Sequence, residues 1–238
     1  MLRRRAGGRP TARIVVETAE APAEAVNLSF EMPGRADEWL VLSAHIDGHD
    51  IGESAIDNAT GLAVVLEVAR RIAAAGRPHR RGLRVMLFNV EEWALTGSAH
   101  YVTTLSEGAR DAIALNVNID SVGVGDMLTA LTSGFAGLEP FLLARAEAVG
   151  LPLGLYRPMH ISSDHANFAR AGIPAFRLVA GFNEPGAATR LVLTPEDTRD
   201  KVFRDALFRA ADLTHEIVSG ALDASTEEVV EWRRRPAG

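Results

Sequence analysis

Short apolar runs alternate along the chain with longer amphipathic segments, and this pattern predicts a sheet covered by helices. Two of the strand candidates, Glu38–His45 and Gly82–Val90, contain the runs WLVLSAH and LRVMLFNV. These runs are almost wholly apolar, as expected of strands that are buried on both faces. The other strand candidates are Ala12–Thr18, Ala25–Glu31, Ala112–Asp120, Met127–Thr132 and Ile173–Ala180. We therefore predict an α/β fold with one central sheet.

Three longer segments have apolar residues at helical spacing. The first begins near Asn58 and Thr60, either of which can cap a helix, and ends at Gly76 and Pro78. The second covers about Leu138–Ala148 and is followed by Gly150, and the third runs from about Thr198 to Gly220. The alternation of strands and helices continues without a repeat or a low-complexity segment, which favours a single domain over residues 1–238.

Composition narrows the classes of function. The chain contains no cysteine, which excludes disulfides, thiolate nucleophiles and cysteine-based zinc sites. A formal net charge of −6 argues against nucleic-acid binding. We expect no membrane association, because no apolar run reaches the roughly 18 residues of a membrane span. The start MLRRRAGGRP lacks the apolar core of a signal peptide, which predicts a cytoplasmic protein, or an extracytoplasmic one if an upstream segment is missing.

Acidic and histidine side chains follow several predicted strands. The carboxyl ends of parallel strands open onto one crevice, so residues that follow these strands are expected to lie on a common rim. Taken singly, each has an ordinary interpretation, such as a turn residue or an acid at a helix N-terminus. Their occurrence together instead favours one site. The residues are His45, Asp47, Asp57, Glu91, Glu92 and Asp120.

Histidine and carboxylate side chains form the ligand set of catalytic zinc sites, which activate water and polarise a carbonyl. Adjacent residues on a strand point to opposite sides, so we expect Glu91 and Glu92 to act differently. One would bind metal and the other would act as general base. Asp47 is two residues beyond His45, where it can hold the imidazole in its metal-binding tautomer.

Six segments carry a family resemblance that extends over about Asn27 to Ile217. They are AHIDG, AIDNATGLAVVLEVAR, LFNVEEWALTGSAHYV, NVNIDSVG, SSDHANFARAGIPAF and LTPEDTRDKV. In this order they resemble the bacterial leucyl aminopeptidase and glutamate carboxypeptidase superfamily of co-catalytic zinc peptidases. The resemblance implies a three-layer zinc-exopeptidase fold, with a mixed, largely parallel central sheet and helices on both faces.

The resemblance also implies roles for the residues that match the family's motifs. His45, Asp57 and Asp120 would hold one zinc ion, and Asp57 would bridge to a second ion that Glu92 also binds. Glu91 would be the general base and Asp47 the orienting acid behind His45.

The chain departs from the family at the last zinc ligand, a histidine immediately before the T-P-x-D-T motif. Leu193 stands at that position here, and leucine cannot bind a metal. We therefore expect one zinc ion, and the second stays open. Three alternatives follow: a one-zinc enzyme, a substitute ligand, or a catalytically impaired binding or scaffold relative. The candidates for a substitute ligand are His49, Asp50, His160, Asp164 and His165.

By resemblance, the function is hydrolysis of a terminal peptide bond in a peptide substrate by water that zinc and Glu91 activate. Removal of an N-terminal residue is the first expectation. A carboxypeptidase or dipeptidase is the alternative, for which Arg170, Arg177 or Arg190 can pair with a substrate carboxylate. Glutaminyl cyclase is a further relative, but Leu193 counts against it because that activity uses the missing histidine.

The short spacing between His45 and Asp57 resembles the carboxypeptidase-like and dipeptidase-like branch of the superfamily. In that branch a lid or dimerisation segment often precedes or interrupts the catalytic domain. We therefore expect either a minimal catalytic domain or one that lacks an N-terminal portion. The oligomeric state, including a homo-oligomer, stays open.

Overall fold

A computed structural model describes residues 13–19 and 21–235 of the chain. Seven strands are found within these residues: β1 (Leu28–Met32), β2 (Trp39–His45), β3 (Gly82–Phe88), β4 (Ile113–Ile119), β5 (Leu128–Leu131), β6 (Leu153–Tyr156) and β7 (Ala175–Ala180). They form one sheet in the order β1-β3-β2-β4-β7-β5-β6. The pairs β3/β2, β2/β4, β4/β7 and β5/β6 are parallel, while β1/β3 and β5/β7 are antiparallel. The prediction of a mixed, largely parallel sheet is confirmed.

The described residues form seven α-helices, which pack in two groups. They are α1 (Thr60–Ala75), α2 (Thr96–Thr104), α3 (Glu107–Asp111), α4 (Glu139–Ala148), α5 (His165–Arg170), α6 (Arg204–Asp223) and α7 (Thr226–Trp232). Helix α6 packs against α1, α4 and β2, whereas α2 packs against α5, which lies on β4 and β7. The sheet therefore has helices on both faces. Within the described chain, no helix is long and apolar enough to cross a lipid bilayer.

Strands β2 and β4 are adjacent at the centre of the sheet and carry its most buried residues. From Leu40 to Ala44 the side chains of β2 are inaccessible to solvent, and all of β4 is buried. Helices α1 and α6 pack on β2, and the side chains on both of its faces are buried, as its sequence predicts.

A small polar network crosses the two central strands. The Ser43 hydroxyl donates to Asn118 Oδ1 at 2.8 Å and accepts from Asn116 Nδ2 at 2.9 Å. Asn118 in turn donates to the Ser163 hydroxyl at 2.8 Å, which fastens the loop before α5 to the sheet. These buried polar groups are therefore largely satisfied within the network.

One predicted strand is wrong. Residues 13–18 of the candidate Ala12–Thr18 have no regular structure, and Ala12 lies outside the described residues. Val15 and Val16 are 69% and 74% exposed, so this segment has the β-propensity of a strand without a neighbouring surface to bury it. Strand β6 was not predicted, because it is four half-buried residues interrupted by Gly154.

Two predicted helix starts also need correction. The last long helix begins at Arg204 rather than Thr198, because Arg199–Lys201 forms a separate 3₁₀ turn before it. The first begins at Thr60 with Ala59 at the N-cap position. Asn58 still accepts a hydrogen bond from the Gly61 N–H at 3.0 Å, whereas the Thr60 hydroxyl donates back to the Ile56 carbonyl.

Candidate metal centre

The predicted site residues lie at the carboxyl edge of the sheet. His45 is the last residue of β2, and Asp120 directly follows β4. Both side chains are almost completely buried. Asp57 lies in the turn before α1, with non-helical backbone angles (φ −118°, ψ 93°). Parallel pairing of β2 with β4 thus brings two separate segments to the same point.

Two overlapping groups of potential ligands form around His45. One contains His45, Glu91 and Asp120, and the other contains His45, Asp57 and Glu92. Within each group the potential ligand atoms lie within 4.8 Å of one another. His45 Nε2 lies 3.1 Å from Asp57 Oδ1 and 3.8 Å from Asp120 Oδ1. The five residues predicted to act on or beside the metal are therefore together.

Glu91 and Glu92 belong to different groups, but not for the reason given by strand geometry. Strand β3 ends at Phe88, and the two glutamates follow Val90, whose φ of 51° turns the chain out of the sheet. The separation of the two side chains is therefore produced by a turn, not by the alternation of an extended strand.

Asp47 holds this turn against β2. Its carboxylate accepts the Glu91 N–H at 3.1 Å and the Glu92 N–H at 3.2 Å. His45 Nδ1 lies 3.1 Å from the Asp47 backbone carbonyl and 3.5 Å from its carboxylate. The backbone carbonyl is thus the nearer acceptor for an Nδ1–H, the tautomer that leaves Nε2 free toward Asp57 and Asp120.

The position of Asp57 is fixed by Asp197, a residue of the LTPEDT segment for which no role was predicted. The Asp197 carboxylate accepts the Ile56 N–H at 2.6 Å and the Asp57 N–H at 3.2 Å. A close approach of α1 to β4 adds to this constraint. A Cβ on Gly61 would lie 2.3 Å from both Asn58 Oδ1 and the Ile119 carbonyl oxygen, so only glycine fits there.

Burial and mutual repulsion shape the charges of the cluster. Burial is the main cause that raises the pKa of Glu91 to about 9, and nearby carboxylates including Asp120 act in the same direction. Burial, followed by the charge of Asp57, also raises the pKa of Glu92. Burial opposes ionisation of Asp120, but Arg177 and His45 outweigh it and lower the pKa of Asp120. The cluster is thus rich in carboxyl groups that a cation would stabilise.

Arg177 on β7 contacts the cluster directly. Its guanidinium lies 3.1 Å from Asp120 Oδ1 and donates to the Ser162 carbonyl at 2.7 Å. Arg177 and Arg190 also line a cleft of about 510 Å³ with His160 and Phe182. Arg170 is exposed at the end of α5. Of the three predicted carboxylate-binding arginines, one is already paired with Asp120 and one remains open toward the cleft.

Leu193 provides no ligand, as expected, but it lies beside the cluster. With His49, Asp57 and Glu92 it lines a small pocket. His49 Nε2 is 2.7 Å from Glu92 Oε2. Of the five candidates for a substitute ligand, His49 is the one that contacts a predicted ligand within the described chain.

The other substitute candidates lie elsewhere. Asp50 is exposed, and His160 packs edge-on against Tyr156 and Phe182. Asp164 and His165 are fully buried, and their side chains have no hydrogen-bond partner among the described residues. Burial raises the pKa of Asp164 to about 7 and lowers the pKa of His165 to about 3, so both groups are largely uncharged in the pH range between these two values.

The donor set fits zinc. Imidazole and carboxylate ligands suit this ion, and two His-containing groups that share a central residue suit a paired site. Glu92 Oε1 is buried and has no hydrogen-bond partner within residues 13–19 and 21–235, so one ligand atom is unsatisfied at the point where an ion would bind.

Comparison with known proteins identifies the family. The model of peptidase family M28 matches residues 27–218. Aminopeptidase YwaD of Bacillus subtilis is 28% identical over 202 residues, covering 83% of this chain and 42% of that protein. Leupeptin-inactivating enzyme 1 of Streptomyces exfoliatus is 27% identical over 208 residues, covering 87% of this chain and 47% of that protein.

A solved structure gives the same result. BSAP, a zinc aminopeptidase from Bacillus subtilis, superposes with a TM-score of 0.77 at 27% identity, covering 84% of this chain and 51% of that one. The chain thus spans about half the length of these relatives or less. The resemblance read from the sequence is confirmed over most of the chain: it belongs to peptidase family M28.

Proposed function

We propose that this domain carries the active site of a zinc-dependent exopeptidase, and more specifically of an aminopeptidase. The observation that carries the proposal is the meeting of five residues from four chain segments in two overlapping ligand groups. These residues are His45, Asp57, Glu91, Glu92 and Asp120. The names of relatives in the family, aminopeptidases among them, support the choice of reaction.

His45, Asp57 and Asp120 would hold the first zinc ion, and Glu92 would face the second position. Bound there, zinc would polarise the scissile carbonyl and lower the pKa of a water molecule. Asp47 fixes the position of the Glu91–Glu92 turn relative to His45 through its three contacts. The side chains are thus held in place before a substrate arrives, which is what preorganised catalysis requires.

Glu91 is the proton carrier in this proposal. It would accept a proton from the attacking water and deliver it to the leaving amine. The raised pKa of Glu91 favours this role, because a carboxyl group with a low pKa would release rather than hold a proton. A cation beside it would lower that pKa toward the working pH.

The cleft that contains Arg177, His160 and Phe182 adjoins the cluster and would receive the substrate. Arg177 is neutralised by Asp120, which leaves Arg190 for a substrate carboxylate. An exposed arginine at the rim is weak support for a carboxypeptidase or dipeptidase, so the aminopeptidase is preferred.

The test compares aminoacyl p-nitroanilides with their N-acetylated forms and with blocked dipeptides, in the presence of zinc. We expect cleavage of the free-amino substrates alone. Glu91→Gln should lower kcat by about 10²- to 10⁴-fold without lowering zinc content, because this proposal makes Glu91 the proton acceptor and leaves the binding of zinc to the other four residues. Glu196→Gln, at an exposed position, is the matched control and should be fully active. Equal activity of Glu91→Gln and the wild type would refute the mechanism.

Leu193 supports a second candidate, a binding or scaffold domain with impaired catalysis. Its side chain lines the pocket beside Asp57 and Glu92 and cannot bind metal. This candidate predicts no cleavage of any substrate in the panel and little zinc in protein purified without chelators.

A further inference from the structure

We infer that His49 is the imidazole ligand of a second zinc ion, together with Asp57 and Glu92, in place of the histidine that Leu193 replaces. This inference rests on the proposed function, because the ion belongs to the same site. It assigns a ligand from the loop after β2 to a position that the family fills from the loop before α6.

The contact between His49 and Glu92 is the first support. His49 Nε2 lies 2.7 Å from Glu92 Oε2, and Glu92 belongs to the ligand group of His45 and Asp57. The other Glu92 oxygen is buried and finds no donor among the residues that the structure describes. The imidazole therefore lies at the end of the cluster where a ligand is missing.

The location of Leu193 is the second support. Leu193, His49, Asp57 and Glu92 line the same pocket, so a side chain from either loop can reach this space. Leu193 is 53% exposed, with a backbone φ of 59°. His49 thus lies on a different loop from Leu193 but lines the pocket that a histidine at position 193 would also line.

The loop that carries His49 is held in place by several hydrogen bonds. The Ser54 hydroxyl accepts the His49 N–H at 3.0 Å and donates to the His49 carbonyl at 3.3 Å. A Cβ on Gly48 would lie 2.3 Å from Ser54 Oγ, so a residue without a side chain is needed for this closure. The Glu53 N–H donates to the Asp197 carbonyl at 2.9 Å, which joins the loop to the segment that follows Leu193.

Binding of an ion between His49 and Glu92 requires the two side chains to move slightly apart. Two ligand atoms on one tetrahedral zinc ion lie about 3.3 Å apart, given bond lengths of about 2.0–2.1 Å. The Nε2 to Oε2 distance of 2.7 Å must therefore widen by about 0.6 Å. The His49 side chain is 35% exposed, so it can move outward without disturbing the core.

The alternative is that His49 only donates a hydrogen bond that orients Glu92. A glutamine separates the two roles, because its amide can donate to Glu92 but is a poor zinc ligand. We would compare the wild-type chain with His49→Gln, Leu193→His and the double variant. His100→Ala, on the exposed side of α2, is the control for loss of an unrelated histidine.

Zinc is removed by chelation, restored at increasing concentration, and counted by elemental analysis; cobalt substitution then reports ligand changes by absorption. We expect about two ions in the wild type and about one in His49→Gln. Affinity for the weaker ion should fall by more than about 100-fold in His49→Gln, since even outer-sphere partners of ligands change affinity by 10- to 100-fold. Leu193→His in the His49→Gln background should restore the second ion.

Full retention of the second ion in His49→Gln would overturn the inference, as would a wild type that holds one ion and is unaffected by the substitution. Failure of the proposed function looks different. If His49→Gln loses one ion but the wild type cleaves none of the substrates, the assignment of His49 as a ligand stands and the proposed peptidase activity is refuted. If the protein cleaves peptides with one bound ion whatever residue stands at position 49, the proposed peptidase activity stands and the assignment of His49 as a ligand is refuted.

Discussion

The Asp47 carboxylate connects His45 to the turn that carries Glu91 and Glu92. It accepts two backbone N–H groups from the Glu91–Glu92 turn and lies 3.5 Å from His45 Nδ1. Asp47→Ala removes the acceptor of both N–H groups while leaving the backbone carbonyl that His45 contacts at 3.1 Å. The turn should therefore be loosened more than the imidazole.

The size of the effect follows from these contacts. A hydrogen bond to a charged group contributes about 1.5–3 kcal/mol. The 3.5 Å contact is too long to add much. Because the Asp47 side chain is 14% exposed, water can replace part of what is lost. We expect Asp47→Ala to lower the free energy of unfolding by about 2–4 kcal/mol and the zinc affinity by about 10- to 100-fold.

The assay is urea unfolding at pH 7 in the presence of a chelator, followed by zinc titration. Burial opposes ionisation of Asp47, but the nearby His45 imidazole and the hydrogen bonds from the Glu91 and Glu92 N–H groups outweigh it and lower the pKa of Asp47. The stabilisation by the Asp47 carboxylate is therefore fully present above about pH 4, the ordinary pKa of an aspartate in the unfolded chain. It is lost as the pH falls through the lowered pKa of Asp47 in the folded protein. The wild type should lose this contribution in acid, and Asp47→Ala should not.

Asp50→Ala is a matched control, because Asp50 is an exposed aspartate in the same loop. It should change neither the free energy of unfolding nor the zinc affinity. Asp47→Asn keeps one acceptor oxygen, so its free energy of unfolding and its zinc affinity should lie between those of the control and those of Asp47→Ala. If Asp47→Ala unfolds within about 0.5 kcal/mol of the control, this account of the turn is refuted.

Three further predictions concern stability. Gly61→Ala should cost more than about 3 kcal/mol in urea unfolding, because the new Cβ would lie 2.3 Å from the Ile119 carbonyl oxygen. Gly108→Ala in α3, where the Cβ has nothing within 4 Å, should be neutral or stabilising, and similar losses in both variants would contradict the packing argument. Ser43→Ala should cost about 1–3 kcal/mol, because it leaves Asn116 and Asn118 without their shared partner; circular-dichroism melting is the measurement, and an unchanged midpoint would count against the network. In chelator, stability should fall as pH rises from about 5 toward 9, because burial raises the pKa of Glu91 above its unfolded value and ionisation of the buried carboxyl group then opposes folding. Glu91→Gln should flatten this slope, and an unchanged slope in that variant would assign it to other groups.

The sheet was predictable where strands are long and buried. The candidate Glu38–His45 became β2 with a single-residue adjustment at its start, because its almost wholly apolar run WLVLSAH is typical of a strand buried on both faces. Short elements were not predictable. Helix α5 has six residues and packs through contacts with β4 and β7, so its stability comes from tertiary packing rather than from a periodic pattern.

The proximity of the candidate ligands was predictable, but most of the contacts that position them were not. His45, Asp57 and Asp120 stand in recognisable motifs at strand and helix ends, which the topology of parallel strands brings together. The contact between His49 and Glu92 depends on how two loops fold back, and no local pattern encodes it. The pairing of Arg177 with Asp120 likewise follows from the adjacency of β7 and β4 in the sheet, although β5 and β6 lie between them in the sequence.

The support of Asp57 by Asp197 has a consequence for when the site comes into existence. Every residue predicted to bind metal lies between His45 and Asp120, yet the N–H of Asp57 is held by a carboxylate 140 residues further along the chain. A fragment that stops after β4 would contain all these residues without the geometry that makes them a centre. During synthesis, we therefore expect metal to bind only after the segment that carries Asp197 has folded against the turn before α1, in contrast to small domains in which a zinc ion organises its own ligands.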